Sequence, residues 1–291
     1  MRSLLFIPGD SPRKLEKGMT SGADALLLDL EDSIAPDGKA GARQTTLGFL
    51  RETQPAAQRP RLFVRVNGIA TGLIDDDLDT VMAGKPDGIL LPKAEGAASI
   101  IHLEGKLTTR ETAYGLAAGS TAILALATET ARAMFLAATY AGASRRLSGL
   151  TWGAEDLSAE LGAEANRDAA GNFLDPYRLA RTLCLVAAAA AQVPAFDTVY
   201  VDFRNSDGLK RECQDARRDG FVGKLAIHPA QVPVINEVFT PTPAAIAHAQ
   251  AIVDAFAAAN GAGVVGIAGV MYDRPHLAKA QQLLARAKIQ S

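Results

Sequence analysis

The sequence predicts an α/β fold whose sheet closes into a (β/α)8 barrel, and two observations carry that expectation. The first is alternation. Short apolar or β-branched runs recur at 3–7, 25–30, 62–66, 88–91, 122–127, 147–152, 198–201 and 224–227, and longer stretches with helical spacing of apolar residues lie between them. Strands alternating with helices imply parallel βαβ units, and strands covered by helices read as continuous apolar runs. Eight such units match a TIM barrel. The second observation excludes the competing arrangement, an open doubly wound sheet. That fold normally carries a GxGxxG turn after its first strand, and Pro8-Gly9-Asp10-Ser11 is not one.

The elements follow in order. The first strand runs into Pro8-Gly9, and a helical pattern at 15–19 stops at Gly22. The helical stretch 73–82 ends at Gly84, and 130–140 ends at Gly142. The longest apolar stretch, 182–196, is alanine-rich, is interrupted at Pro194 and is too short to span a bilayer. After the eighth strand, Pro241 and Pro243 precede a helical pattern at 244–259. A glycine-rich segment, 261–269, then leads through Val270-Met271-Tyr272-Asp273 to a last helical segment at 275–288. The expected organisation is a barrel catalytic domain over 1–240 and a C-terminal helical extension over 241–291, serving as a lid or an oligomer contact.

Composition bounds the function. The chain has 291 residues, 48% hydrophobic and 21% charged, so it can bury a core without a disulfide or a metal. Lys+Arg number 30 against Asp+Glu 32, a net charge of −2, which argues against a nucleic-acid partner. The apolar run in MRSLLFIPGD is shorter than the roughly 7–15 residues of a secretory signal core. A cytoplasmic protein with no membrane partner is expected. Cys184 and Cys213 have no CxxC spacing and read as buried or incidental thiols.

Active sites of such barrels lie at the C-terminal ends of the strands. The residues just after the apolar runs are Pro8 and Gly9; Asp29, Glu31 and Asp32; Arg65 and Asn67; Pro92 and Lys93; Glu129; Glu155 and Asp156; Asp202; and His228. Acids dominate, and carboxylates converging on one rim repel unless a cation or a proton lies between them. Oxygen ligands without a His or Cys cluster favour a hard ion such as Mg2+ over zinc. Each acid also has a structural reading. Asp29, Glu31 and Asp32 could cap a helix or pair with Lys39 and Arg43, Glu129 suits a helix N-terminus, and Asp156 could be a plain N-cap. Arg65 is harder to explain structurally, because a charge inside an apolar strand needs a partner. His228, before Pro229, reads as structural.

Taken together, the segments RSLLFIPGDSPRKLEK (2–17), LLLDLEDSIAPDGKAGAR (26–43), RVN (65–67), LPKAE (91–95), ETARA (129–133), WGAEDLSAELG (152–162), GFVGKLAIHP (220–229) and GVMYDRP (269–275) resemble the HpcH/HpaI aldolase superfamily. The resemblance is to its branch of citrate lyase β-subunits, malyl-CoA lyases and citramalyl-CoA lyases, and it covers nearly the whole chain in order. It implies Mg2+ held by Glu129 and Asp156, with Glu129 also facing the substrate. It implies that Arg65 contacts substrate oxygens and that Asp273 is an acid–base group, supplied across a subunit interface in some members. It places Arg13, Lys14 and Lys17 against the phosphates of CoA or an acyl-carrier arm, ordinary surface charge being the alternative.

The implied activity is Mg2+-dependent carbon–carbon cleavage of a malyl-CoA or citramalyl-CoA type thioester to acetyl-CoA and a 2-oxo acid. The implied assembly is a homo-oligomer, a trimer or hexamer. Two other readings stay open. One is a citrate lyase β-subunit acting with an acyl-carrier protein, and the other is a non-catalytic binding protein on the same fold.

Overall fold

Eight parallel strands form the main sheet: β1 (Ser3–Pro8), β2 (Ala25–Asp29), β3 (Arg61–Arg65), β4 (Gly88–Leu91), β5 (Ala122–Leu126), β6 (Leu147–Thr151), β7 (Phe196–Asp197) and β8 (Gly223–Ala226). In the computed structural model, which describes every residue except 55, 57, 260 and 291, they pair in the order β6-β5-β4-β3-β2-β1-β8-β7. The two ends of that order meet in one bridge, Leu150 to Ala195, and the Leu150 N–H bonds the Pro194 carbonyl at 3.0 Å. The predicted barrel therefore forms, nearly closed, with its thinnest hydrogen bonding between β6 and β7. Period-2 alternation sends Leu4, Leu27, Phe63, Leu90, Leu124, Phe196 and Leu225, from every strand but β6, into one buried cluster.

The helices are α1 (Pro12–Met19), α2 (Lys39–Thr53), α3 (Ile74–Val81), α4 (Gly96–Ala113), α5 (Ala131–Leu136), α6 (Ala154–Leu161), α7 (Asp175–Ala190) and α8 (Ser206–Asp219), with α9 (Val232–Phe239) after β8. The predicted helix at 130–140 is α5 continued by a 3-10 turn, Ala137–Tyr140. Both cysteines are buried and free. Among the described residues no helix is long and apolar enough to cross a membrane.

One predicted strand is misplaced. The apolar run 198–201 lies beyond β7, which is the two-residue segment Phe196–Asp197. Asp197 accounts for the error. It is fully buried and paired with Lys224 of β8 at 3.2 Å, so a charge stands where an apolar strand residue is expected.

The chain divides into the units Met1–Asn236 and Glu237–Ser291. In the second, α10 (Pro243–Ala258) and α11 (Arg274–Gln290) share a small core with a hairpin of β9 (Val264–Ile267) and β10 (Val270–Asp273). The sequence reading treats 261–269 only as a glycine-rich lead-in. Its turn is the Ala268-Gly269 pair, both at positive φ (50° and 81°), the combination that a tight two-residue hairpin loop requires.

A buried ion pair ties three parts of the barrel wall together. Glu111 of α4 accepts a hydrogen bond from Arg146 Nη2 at 2.7 Å and the N–H groups of Gly119 and Thr121 at 2.8 and 2.9 Å. Burial would raise its carboxyl pKa, but Arg146 and those donors hold it at about 2. A depressed carboxyl pKa stabilises the fold fully above the unfolded value and loses that stabilisation as pH falls through the folded one. Arg146→Met should cost about 3–5 kcal/mol at pH 7, because it strands the Glu111 charge. In urea unfolding, the gap between variant and wild type should narrow as pH falls from 4.5 toward about 2.

Candidate active site

The C-terminal ends of the strands surround a cavity of about 430 Å3 in the first unit. Its floor is apolar, made by Phe6, Leu126 and Leu225 with Val199 and the more exposed Ile227 beside them, and its polar lining is Asp29, Asp32, Arg65, Glu129 and Asp156. The turn after β1 can approach β2 closely because Gly9 has no side chain. Its N–H bonds the Asp29 carbonyl at 2.8 Å, and an added Cβ would stand 2.5 Å from Thr46 Oγ1.

Arg65, the last residue of β3, is held by the last residue of β2. Its Nε and Nη2 reach the two Asp29 oxygens at 2.7 Å each, and its Nη1 lies 3.0 Å from Glu31 Oε2 and 3.4 Å from Asp32 Oδ2. Phe6 lies under the guanidinium at 4.7 Å. Asp29 also accepts the N–H groups of Glu31 and Ser33 at 2.9 and 3.1 Å, so one carboxylate shapes the β2 loop and fixes the Arg65 fork. The alternative in which this acidic cluster pairs with Lys39 and Arg43 is not the arrangement formed among the described residues. Lys39 bonds the backbone oxygens of Leu30 and Glu31, and Arg43 bonds Asp77 at 2.7 Å. Asn67 is buried on the same Asp77.

Glu129 follows β5 and is 2% exposed, and Asp156 stands in the first turn of α6 after β6. The two carboxyls are close enough to hydrogen-bond when one is protonated. Burial raises the Glu129 pKa well above the ordinary range, and the charges of Asp156 and Glu31 raise it further. Burial likewise pushes Glu31 up to about 7 despite Arg65 and Lys93. Gly153 makes the close packing possible, since a Cβ there would stand 3.0 Å from Glu129 Oε1.

Lys93 links these groups. Its backbone sits in the left-handed region (φ 49°), a costly conformation for a residue with a side chain. There its N–H donates to Glu129 Oε2 at 2.7 Å while its Nζ reaches Glu31 Oε1 at 2.7 Å and Asp156 Oδ1 at 2.9 Å. Sequence reasoning placed Lys93 on the rim without giving it a task, and it missed Asp29 as the anchor of Arg65. A charge beside strong strand residues was the signal in both cases.

The structure thus brings Arg65, Glu129 and Asp156 to one cavity. Arg13, Lys14 and Lys17 are exposed along α1 and do not line it. Asp202 is exposed in the loop after β7, and His228 caps a short turn through the Ala230 N–H and stacks on Phe203. Asp273 ends β10 in the second unit, where its carboxylate meets His276 Nδ1 at 2.5 Å.

The donor set fits a hard divalent cation: two acidic oxygen donors face each other, one buried and destabilised by like charge. Among the described residues no group of three or more His, Cys, Asp or Glu forms a full metal cage. Two carboxylates suit Mg2+, which keeps waters and substrate oxygens as its other ligands. Gly153→Ala should therefore weaken divalent-cation binding about tenfold or more by displacing Glu129, while the thermal midpoint moves only a few degrees. Calorimetric cation titration beside a melting curve checks this.

Residues 2–229 match the family model described as HpcH/HpaI aldolase/citrate lyase. A (3S)-malyl-CoA thioesterase of Cereibacter sphaeroides is 38% identical over 99% of this chain and 94% of its own length. The citrate lyase subunit beta of Escherichia coli is 36% identical over 99% of this chain and 93% of its own. The crystal structure of CitE from Mycobacterium tuberculosis in complex with magnesium, acetoacetate and coenzyme A superimposes with a TM-score of 0.77 at 34% identity, covering 99% of this chain and 98% of that one. The chain belongs to the HpcH/HpaI aldolase/citrate lyase family of carbon–carbon lyases.

Proposed function

We propose that the protein is a Mg2+-dependent lyase that splits a malyl-CoA or citramalyl-CoA type thioester into acetyl-CoA and a 2-oxo acid. The observation that carries this reading is the Glu129–Asp156 pair at the barrel mouth, beside Arg65 and above an apolar floor. Glu129 and Asp156 would hold Mg2+, and a bound Mg2+ supplies Lewis acidity and a template for the oxygens of the 2-oxo acid portion.

The residues divide the remaining work. Arg65 is preorganised by Asp29, so it can stabilise negative charge that grows on substrate oxygens without first reorienting. Phe6, Leu126 and Leu225 keep water from beneath the reacting carbons. Asp273 is assigned the proton at the methyl carbon of the acetyl thioester, leaving that carbon during condensation and returning during cleavage. Arg13, Lys14 and Lys17 are assigned to the phosphates of the CoA arm, which suits their exposure on α1. Assembly into a trimer or hexamer is proposed with it, since an Asp273 acting across an interface needs at least a dimer.

The cavity also bears on the substrate. Arg65 is the one cation among its described lining residues, and both oxygens of Asp29 already engage it. The nearby Lys93 is likewise engaged, by Glu31 and Asp156, so the second carboxylate of a citryl-derived oxo acid would have to compete with these acids for a cation, whereas the hydrogen of glyoxylate or the methyl of pyruvate suits the apolar floor. This favours malyl or citramalyl thioesters over the citrate lyase β-subunit reading. A second reading, hydrolysis of malyl-CoA, draws on the 38% identical relative of that name.

One assay separates them. Purified protein with Mg2+ should release glyoxylate or pyruvate together with acetyl-CoA from malyl- or citramalyl-CoA. Release of malate and free CoA without a 2-oxo acid identifies a thioesterase, and turnover of citryl thioester only with a carrier protein identifies the β-subunit. Arg65→Lys removes the bidentate fork and should lower kcat about 10²–10³-fold.

A further inference from the structure

A circuit of charged groups and rings, buried in its Asp197–Lys224 part, runs through Trp152, the single tryptophan of the sequence, and nothing in the proposed chemistry uses it. The Trp152 Nε1–H donates to Asp197 Oδ1 at 2.8 Å, and Asp197 Oδ2 accepts from Lys224 Nζ at 3.2 Å. Lys224 Nζ also donates to Glu212 Oε1 at 2.7 Å, and the other oxygen of Glu212 accepts from Arg167 at 2.7 Å. The Arg167 guanidinium lies 3.6 Å over the Phe173 ring, whose edge meets the Trp152 ring at 5.0 Å. The circuit returns to the indole it started from. Trp152, Asp197 and Lys224 are each fully buried.

Its place in the barrel gives this circuit a task. It crosses the seam where β6 and β7 share one bridge, so backbone pairing holds the end of β6 on the β5 side, through Thr151, and hardly at all on the β7 side. Trp152 is the residue just after β6. It lines the cavity, and the next residue, Gly153, packs against Glu129 while Asp156 follows three positions later. A shift of the indole moves the turn that presents Asp156 to Glu129. An apolar filling would often be as stable as a buried ion pair, but it would leave the indole N–H without an acceptor.

We propose that Asp197 and Lys224 are positioning residues: through Trp152 they hold the 152–156 turn at the distance from Glu129 that cation binding needs. The proposal rests on the metal reading above.

The test uses full-length Trp152→Phe, Asp197→Asn and the double variant Asp197→Leu with Lys224→Met, in which Arg181, 3.2 Å from Asp197 in the wild type, keeps its partner Asp219 and Glu212 keeps Arg167. The readout is Mn2+ affinity by calorimetry, with kcat and KM for the thioester beside it. Trp152→Phe and the double variant should bind Mn2+ about 10–100-fold more weakly, the range for groups behind metal ligands. Asp197→Asn keeps an acceptor for the indole and should stay within about threefold of wild type. Near-wild-type Mn2+ affinity in both apolar variants overturns the proposal. If the wild type binds no Mn2+, the metal reading fails, and the near-ultraviolet circular dichroism of Trp152 decides the remainder. Loss of the indole bands in the double variant, with intact far-ultraviolet spectra, supports positioning, and unchanged bands refute it.

Discussion

The fold converges on one unfavourable contact, two acid side chains brought together with one of them, Glu129, cut off from water. Glu129 is buried after β5 and Asp156 opens the helix after β6, and adjacent parallel strands of a closed sheet bring those positions side by side. Burial first, and then the like charges of Asp156 and Glu31, push Glu129 toward its neutral form. The surrounding structure is arranged to keep this contact. Gly153 leaves room for it, Lys93 accepts a left-handed backbone to bond both acids, and Asp29 keeps Arg65 aimed at the same cavity. Such strain persists only where the neighbouring structure over-determines it, as the contacts of Lys93 do here.

Most of the barrel was legible in the sequence because strand burial on both faces writes itself as apolar runs, and seven of the eight strands begin or end close to those runs. The eighth case failed for a physical reason. In β7 the buried residue is Asp197, whose charge is matched by Lys224, and a reading based on hydropathy has no means of seeing two charges cancel across strands. The hairpin of the second unit was hidden in a comparable way. Its glycines at 261, 263, 266 and 269 make the segment read as loop, and nothing in the sequence marks the positive φ that Ala268 adopts at the turn.

The site was legible to the extent that each residue follows directly from a strand end. Arg65, Glu129 and Asp156 meet those terms and line one cavity. What could not be read was which acid holds which base. Asp29 reads from sequence as one of three similar carboxylates, yet it alone makes the bidentate pair with Arg65, while Glu31 turns toward Lys93 and Asp32 stays half exposed. Those choices depend on the register between β2 and β3, which pairs Asp29 with Arg65, and register is a property of the folded sheet.

The account depends on a single cation bridging the Glu129 and Asp156 side chains. A crystal structure of the protein soaked in Mn2+, with anomalous data, tests this most directly. The account predicts an anomalous peak about 2.1–2.3 Å from an oxygen of each carboxylate, at the mouth of the barrel. A map with manganese elsewhere on the chain, and nothing between these two acids, would contradict it.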